Sequence, residues 1–323
     1  MATKITVVGL HQTGASIGLA LLPYKGKITC VGYDPDRRQM DKSAKLQAFA
    51  HLEADLAKSV SGADIVVLAL PADQIEETLH IVSAGMREGA TVVNTSLWHQ
   101  NLDEIAKAVL PESVHFVSMT PILNPKYLSE STDTLDEPHA DLFKQGAFVI
   151  CSTYETQPET LKLSADLAQL LGAHAYFTEA LEADASLADV EALPRLVAAA
   201  LVNAAGAAPA WQENRRLAGK SFFAGASALQ HAAETQDAGK ALLQSRQEVL
   251  RSLDRVMGAL VQLRTAIEQE DAETLHTLLT TAMANRSDWL AYRSELDWDT
   301  ADGRPEEQPT DFRRPMLWPS KKK

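Results

Sequence analysis

Cysteine is scarce: the 323-residue chain has only Cys30 and Cys151. They lie far apart in two β-like runs, without the close spacing of metal-thiolate sets or a disulfide framework, so both read as small buried hydrophobes. Long apolar runs are missing too. No window approaches the roughly 18 consecutive apolar residues of a spanning helix, and the first apolar run is a short strand rather than a secretory leader. The expected location is the cytosol. Positive charge is also in short supply: 30 Lys and Arg stand against 43 Asp and Glu, a net charge of −13. That field repels nucleic-acid phosphates and anionic membranes, which argues against both as partners. A carboxylate ligand must then be gripped by local positive groups.

What remains is an ordinary globular composition, 46% hydrophobic and 23% charged, with length for two domains. In the first half, short β-rich runs (Ile5–Val8, Ile28–Tyr33, Ile65–Leu70, Thr91–Val93, Val114–Met119, Ala147–Cys151) alternate with helical stretches at 16–22, 36–50, 74–83 and 102–110. Near-continuous apolar strands separated by helices predict a mostly parallel, doubly wound sheet covered on both faces. After about residue 155, Ala, Leu, Gln and Glu dominate, and 161–171, 187–208, 241–268 and 272–289 read as helices. Within 241–268, Val249, Leu253, Val256, Leu260, Leu263 and Ile267 recur at steps of four and three. Such a seam serves an internal core or a dimer equally well. The expected plan is an α/β domain over 1–154, an all-α bundle over 155–296 for substrate binding and dimerisation, and an extended, proline-interrupted tail over 297–323.

The chemistry concentrates near the start. Strand Lys4–Val8 runs into Gly9, then Leu10-His11-Gln12-Thr13-Gly14-Ala15-Ser16, then an apolar helix. This is nearly the Gly-x-Gly-x-x-Gly turn of a Rossmann fold. Gly9 allows the tight exit from the strand, Gly14 and Ala15 let the helix lie close to the sheet, and the helix N-terminus faces the pyrophosphate. Asp34 stands 20 residues after Gly14, just past the second strand, where an acid binds the adenosine ribose. A carboxylate there favours NAD, while Arg37 and Arg38 leave NADP open. His11 occupies the second glycine's place; its imidazole must point away, donate to the phosphates, or obstruct them. Leu70 and Pro71 end the third strand at the carboxyl edge, beside the expected nicotinamide ribose; the proline also reads as an ordinary strand terminator.

Gly9…Gly14-Ala15-Ser16, Gly32-Tyr33-Asp34, Ala69-Leu70-Pro71, Asp141-Leu142-Phe143 and the run from Ala192 to Leu201 occur in that order. With 245–250 and 284–286, they resemble the prephenate/arogenate dehydrogenases over about residues 4–290. The resemblance implies an NAD(P)-dependent oxidoreductase of tyrosine biosynthesis. It would pass a hydride from a cyclohexadienol carboxylate to the nicotinamide with loss of CO₂, and it would dimerise through the C-terminal helices. That chemistry asks for a neutral imidazole to take the hydroxyl proton, a supporting hydroxyl, and an arginine for the side-chain carboxylate. Ser16 stands where the family carries its active-site serine, and also reads as a serine bonding the helix backbone. The family's His-Pro pair is Thr120-Pro121 here, a second family histidine is Ala192, and the segment 222–228 lacks the family's arginine. His11, His99 and His115 are the replacement histidines, with His11 the preferred candidate, His99 reading as a surface loop residue and His115 as core or opposite-face. Arg195 and Arg215 are the candidate carboxylate holders, though each also reads as exposed helix charge. The alternative is a non-catalytic ligand-binding or regulatory protein on the same scaffold.

Overall fold

The computed structural model describes residues 2–129, 137–152, 156–229, 239, 242–243 and 245–295, without the side chains of Gln100 and Asn101. The tail expected over 297–323 lies outside the described residues.

The chain divides into one unit ending at Ala183 and a second covering Asp184–Leu296. Among the described residues, the first unit is built on eight strands: β1 (Thr3–Val8), β2 (Ile28–Tyr33), β3 (His51–Leu52), β4 (Ile65–Leu68), β5 (Thr91–Asn94), β6 (His115–Ile122), β7 (Ala147–Cys151) and β8 (His174–Thr178). Their order is β3-β2-β1-β4-β5-β6-β7-β8. All neighbours are parallel except the antiparallel β6–β7 pair. The order reverses between β1 and β4, and ligands of open α/β sheets bind in the crevice at such a point. Helices α1 (Gln12–Leu21), α2 (Arg37–Leu46), α3 (Leu56–Val60), α4 (Ala72–Ser83), α5 (Gln100–Val109) and α6 (Pro158–Leu170) lie between the strands.

Local chemistry explains these boundaries. Ile5, Val7, Ile65 and Val67 are buried in the central strands, as a sheet covered on both faces requires. Asp36 caps α2 by accepting the Arg38 N–H at 2.9 Å, and Asp55 caps α3 through the Lys58 N–H at 2.9 Å; each satisfies a donor that the helix itself leaves unpaired. Burial pushes the Cys30 thiol up to about 12, which keeps it neutral. Cys151 is buried as well and forms no disulfide.

The sheet continues past residue 154. Helix α6 and strand β8 belong to the first unit, so the division at Ala183 falls later than the sequence pattern suggests. His174-Ala175-Tyr176-Phe177-Thr178 is a partly exposed edge strand. It has neither the continuous apolar run nor the clean alternation that marks the other strands.

The second unit is α-helical: α7 (Ala180–Leu187) enters it, and α8 (Leu193–Gly206), α9 (Trp211–Asn214), α10 (Lys220–Ala226), α11 (Arg246–Glu268) and α12 (Ala272–Glu295) follow. A π-turn over Ala188–Ala192 joins α7 to α8. It is tied to α11 because Asp189 accepts from Ser252 and Arg255. Ser245 donates to Asp184 at 3.1 Å at the start of α11. Among the described residues, no helix is long and apolar enough to cross a membrane.

Candidate functional site

The turn after β1 has the geometry that its glycines require. Gly9 has φ +91°, a left-handed conformation that L side chains rarely adopt. A Cβ on it would overlap the Ala69 carbonyl and come within 2.9 Å of the Leu70 side chain. A Cβ on Gly14 would overlap the Gly9 carbonyl oxygen. The missing side chains thus bring β1, the start of α1 and the end of β4 into one tight junction, with Ala15 buried beside it. Pro71 is the N-cap of α4.

Asp34 closes the junction from β2. Its Oδ2 accepts the Leu10 N–H at 2.6 Å and its Oδ1 the Asp36 N–H at 2.7 Å. The residue is 7% exposed, so these two amides hold the carboxylate in one orientation. A carboxylate has about four lone-pair sites, which leaves acceptor capacity for hydroxyl groups. Arg38 is already engaged, gripping Asp36 through two nitrogens at 2.8–3.2 Å. That contact holds the Asp36 carboxyl below its ordinary range, with a smaller contribution from His11. His11 is exposed at the N-cap of α1, within electrostatic reach of Asp36, and its side chain makes no capping bond.

These features suit a dinucleotide. The first turn of α1 has no acidic residue, so its N-terminal partial charge is available to a pyrophosphate. Asp34 stands at the tip of β2 beside it.

Ser16 is fully buried, and its hydroxyl accepts the His139 N–H at 3.0 Å. The segment around His139 crosses the start of α1, where Gln12 donates to the Glu137 carbonyl at 3.3 Å and Lys42 pairs with the Glu137 carboxylate at 3.3 Å. The His139 ring stacks on Tyr127, at 4.5 Å between centroids. The Tyr127 hydroxyl donates to Asp141, whose other oxygen pairs with Lys126 at 2.7 Å. Lys126 and then Tyr127 pull the Asp141 carboxyl below its usual range.

A second polar group lies at the carboxyl ends of β5 and β6. Thr120 is 5% exposed and His99 is 0% exposed. His99 Nε2 lies 2.8 Å from Thr120 Oγ1, and Thr120 donates to the Ser96 carbonyl at 2.5 Å. Asn94 fixes the turn between them, accepting the Ser96 N–H at 3.0 Å and donating to Ser118 at 3.1 Å. A carbonyl only accepts, so the single Thr120 proton points to Ser96 and the imidazole nitrogen must donate to Thr120. The loop reading of His99 is therefore corrected: the buried Trp98 carries it inward. His115 sits at the amino end of β6, the opposite end from Thr120.

The sites expected in the first unit thus fall into two groups. Gly9, Gly14, Ala15, Asp34 and Leu70 meet at the β1 junction, and Thr120 joins His99. In the second unit, Arg195 pairs with Glu191 at 3.6 Å on the helical surface. Arg215 is exposed in the short turn after α9, and among the described residues it carries no carboxylate partner. Sequence reasoning missed the His99–Thr120 contact. Its only local signal was an apolar Leu97-Trp98 pair just ahead of the helix.

Strand order, glycine turn and helical second unit define the class: a Rossmann-type sheet domain followed by an α-helical one, the architecture of NAD(P)-linked dehydrogenases. The family profile described as prephenate dehydrogenase, nucleotide-binding domain, matches residues 17–177. The chain is 25% identical over 291 residues to a prephenate dehydrogenase of Bacillus subtilis (strain 168), covering 87% of this chain and 75% of that protein. It is 24% identical over 203 residues to a prephenate dehydrogenase of Lactococcus lactis subsp. cremoris, covering 62% of this chain and 53% of the relative, so it spans about half of that protein's length. In fold it is similar to prephenate dehydrogenase from A. aeolicus crystallised with hydroxyphenyl propionate and NAD⁺, with a TM-score of 0.74 at 19% identity over 90% of this chain and 99% of that one. The chain belongs to the prephenate dehydrogenase family.

Proposed function

We propose that this protein is an NAD-dependent dehydrogenase that oxidises prephenate or arogenate, with decarboxylation to an aromatic ring. The observation that carries this reading is the β1 junction: Gly9 and Gly14 packed backbone to backbone, with Asp34 locked on the Leu10 amide. Family membership adds the substrate class. NAD⁺, when bound, supplies the hydride acceptor. The chain's own residues would do the rest. The α1 N-terminus and Gly14 receive the pyrophosphate, with His11 at its rim. Asp34 accepts the ribose hydroxyls. Leu70 and Pro71 flank the nicotinamide side. Ser16 holds the crossing segment at His139, and Thr120 faces the reacting hydroxyl. Of the second unit's two candidate arginines, Arg195 is already paired with Glu191, so Arg215 is the one open to an external carboxylate. Arg38, occupied by Asp36, favours NAD over NADP.

Thr120 standing where the family has histidine favours a second reading, a ligand-binding protein without turnover. NADH formation from NAD⁺ with prephenate, then with arogenate, separates the two. Turnover with either substrate is expected. NAD⁺ binding without NADH from either would establish the second reading.

The second unit's exposed apolar side chains support a homodimer through α11 and α12. Met257, Leu260, Val261 and Ile267 on α11, and Leu279, Met283 and Trp289 on α12, are each at least half exposed. Large apolar side chains left exposed together on a helix pair are what an interaction face presents. Light scattering at micromolar concentration should give twice the chain mass; a monomer mass would reject the dimer.

A further inference from the structure

We propose that Thr120 and His99 together form the proton acceptor of this chain, Thr120 touching the reacting hydroxyl and His99 receiving the proton behind it. The inference rests on the dehydrogenase reading above. A threonine hydroxyl alone is no base at neutral pH, whereas an imidazole accepts protons there. Burying an imidazole is costly unless it is hydrogen-bonded, and this one is spent on a hydroxyl at the carboxyl edge of the sheet, the side where ligands bind.

The hydroxyl has two partners within reach: the Ser96 carbonyl at 2.5 Å and His99 Nε2 at 2.8 Å. When Nε2 carries a proton, the hydroxyl turns to Ser96, as its 2.5 Å contact with that carbonyl indicates. When Nε2 is unprotonated, the same rotor can donate to it. In that state the substrate O–H bond breaks and its proton bonds to Thr120 Oγ1 as the Thr120 proton passes to Nε2. Bound NAD⁺ would supply the acceptor for the carbon's hydride, with its electron pair, and a carbonyl would form. The C–CO₂ bond then breaks and its electron pair enters the ring. The resulting ring oxygen takes a proton back through Thr120, and His99 returns to neutral. Substrate and NAD⁺ give phenol, CO₂ and NADH, with no net proton consumed.

The test uses the full chain and the variants His99→Gln, Thr120→Val and Thr120→Ser. His99→Gln and Thr120→Val should lower kcat by about 10²–10⁴-fold with the KM for NAD⁺ unchanged, and Thr120→Ser should restore turnover relative to Thr120→Val. Nitrogen NMR of the protein without cofactor should show a hydrogen-bonded Nε2–H on His99 in wild type and Thr120→Ser, and its shift should move in Thr120→Val. If His99→Gln does not fold, Thr120→Val and the spectra decide. Wild-type turnover with full kcat retained in either His99→Gln or Thr120→Val, or a His99 signal indifferent to Thr120→Val, would overturn the proposal alone. A wild type inactive on both prephenate and arogenate would overturn the dehydrogenase reading, and this proposal with it.

Discussion

Gly14→Val should destabilise the first unit by about 3 kcal/mol or more, at or beyond the upper end of ordinary overpacking costs. The new Cβ would overlap the Gly9 carbonyl oxygen, and Val7 Cγ1 lies 3.1 Å away. The first of these is backbone in a glycine turn at φ +91°, not the far end of a flexible side chain. It cannot move without dragging the exit of β1 away from the end of β4. Helix α1 would have to lift off the sheet, loosening Ile17 and Leu21, both buried in the core. Domains of this size are held by only about 5–15 kcal/mol, so a cost of this size consumes much of that margin. Urea unfolding of wild type and variant measures it. Coincident midpoints would mean that the close approach of turn and helix does not exist.

Asp34→Ala should act on stability and binding together. The carboxylate accepts two backbone amides, at 2.6 and 2.7 Å. Removing it strips the buried Leu10 amide of its acceptor, a loss of about 2–4 kcal/mol for charge-assisted bonds in such a position. It also removes the group proposed to hold the ribose hydroxyls, and NAD⁺ affinity should fall at least about tenfold, the equivalent of about 1.4 kcal/mol. Asp34→Asn separates the two effects. It keeps one acceptor oxygen but turns an NH₂ group toward an N–H donor, so its stability should lie between wild type and alanine while its affinity drops. Calorimetric binding and urea unfolding on the same samples read both. Unchanged NAD⁺ affinity in Asp34→Ala would confine the residue to a structural role.

The part of this site that the sequence shows is the part made by near neighbours in the chain. Gly9, Gly14 and the strand before them form a local pattern with one backbone solution, and Asp34 follows after a single strand. What the sequence does not show depends on register between strands. Ser118 pairs with Asn94 across β5 and β6, which puts Thr120 level with the turn at Ser96 and so within reach of His99. No spacing along the chain announces a contact between residues 99 and 120. Likewise β8 is a strand because β7 offers it a paired edge, while its own residues are too mixed to declare it. Arg195 shows the opposite case: a basic residue suited to a carboxylate is partnered by Glu191, one helical turn away on the same surface.

The most direct measurement is calorimetric titration of NAD⁺ into the full wild-type chain. Saturable binding at one site per chain is expected from a glycine turn closed on the Asp34 carboxylate. No heat at millimolar NAD⁺, with the protein folded, would contradict it.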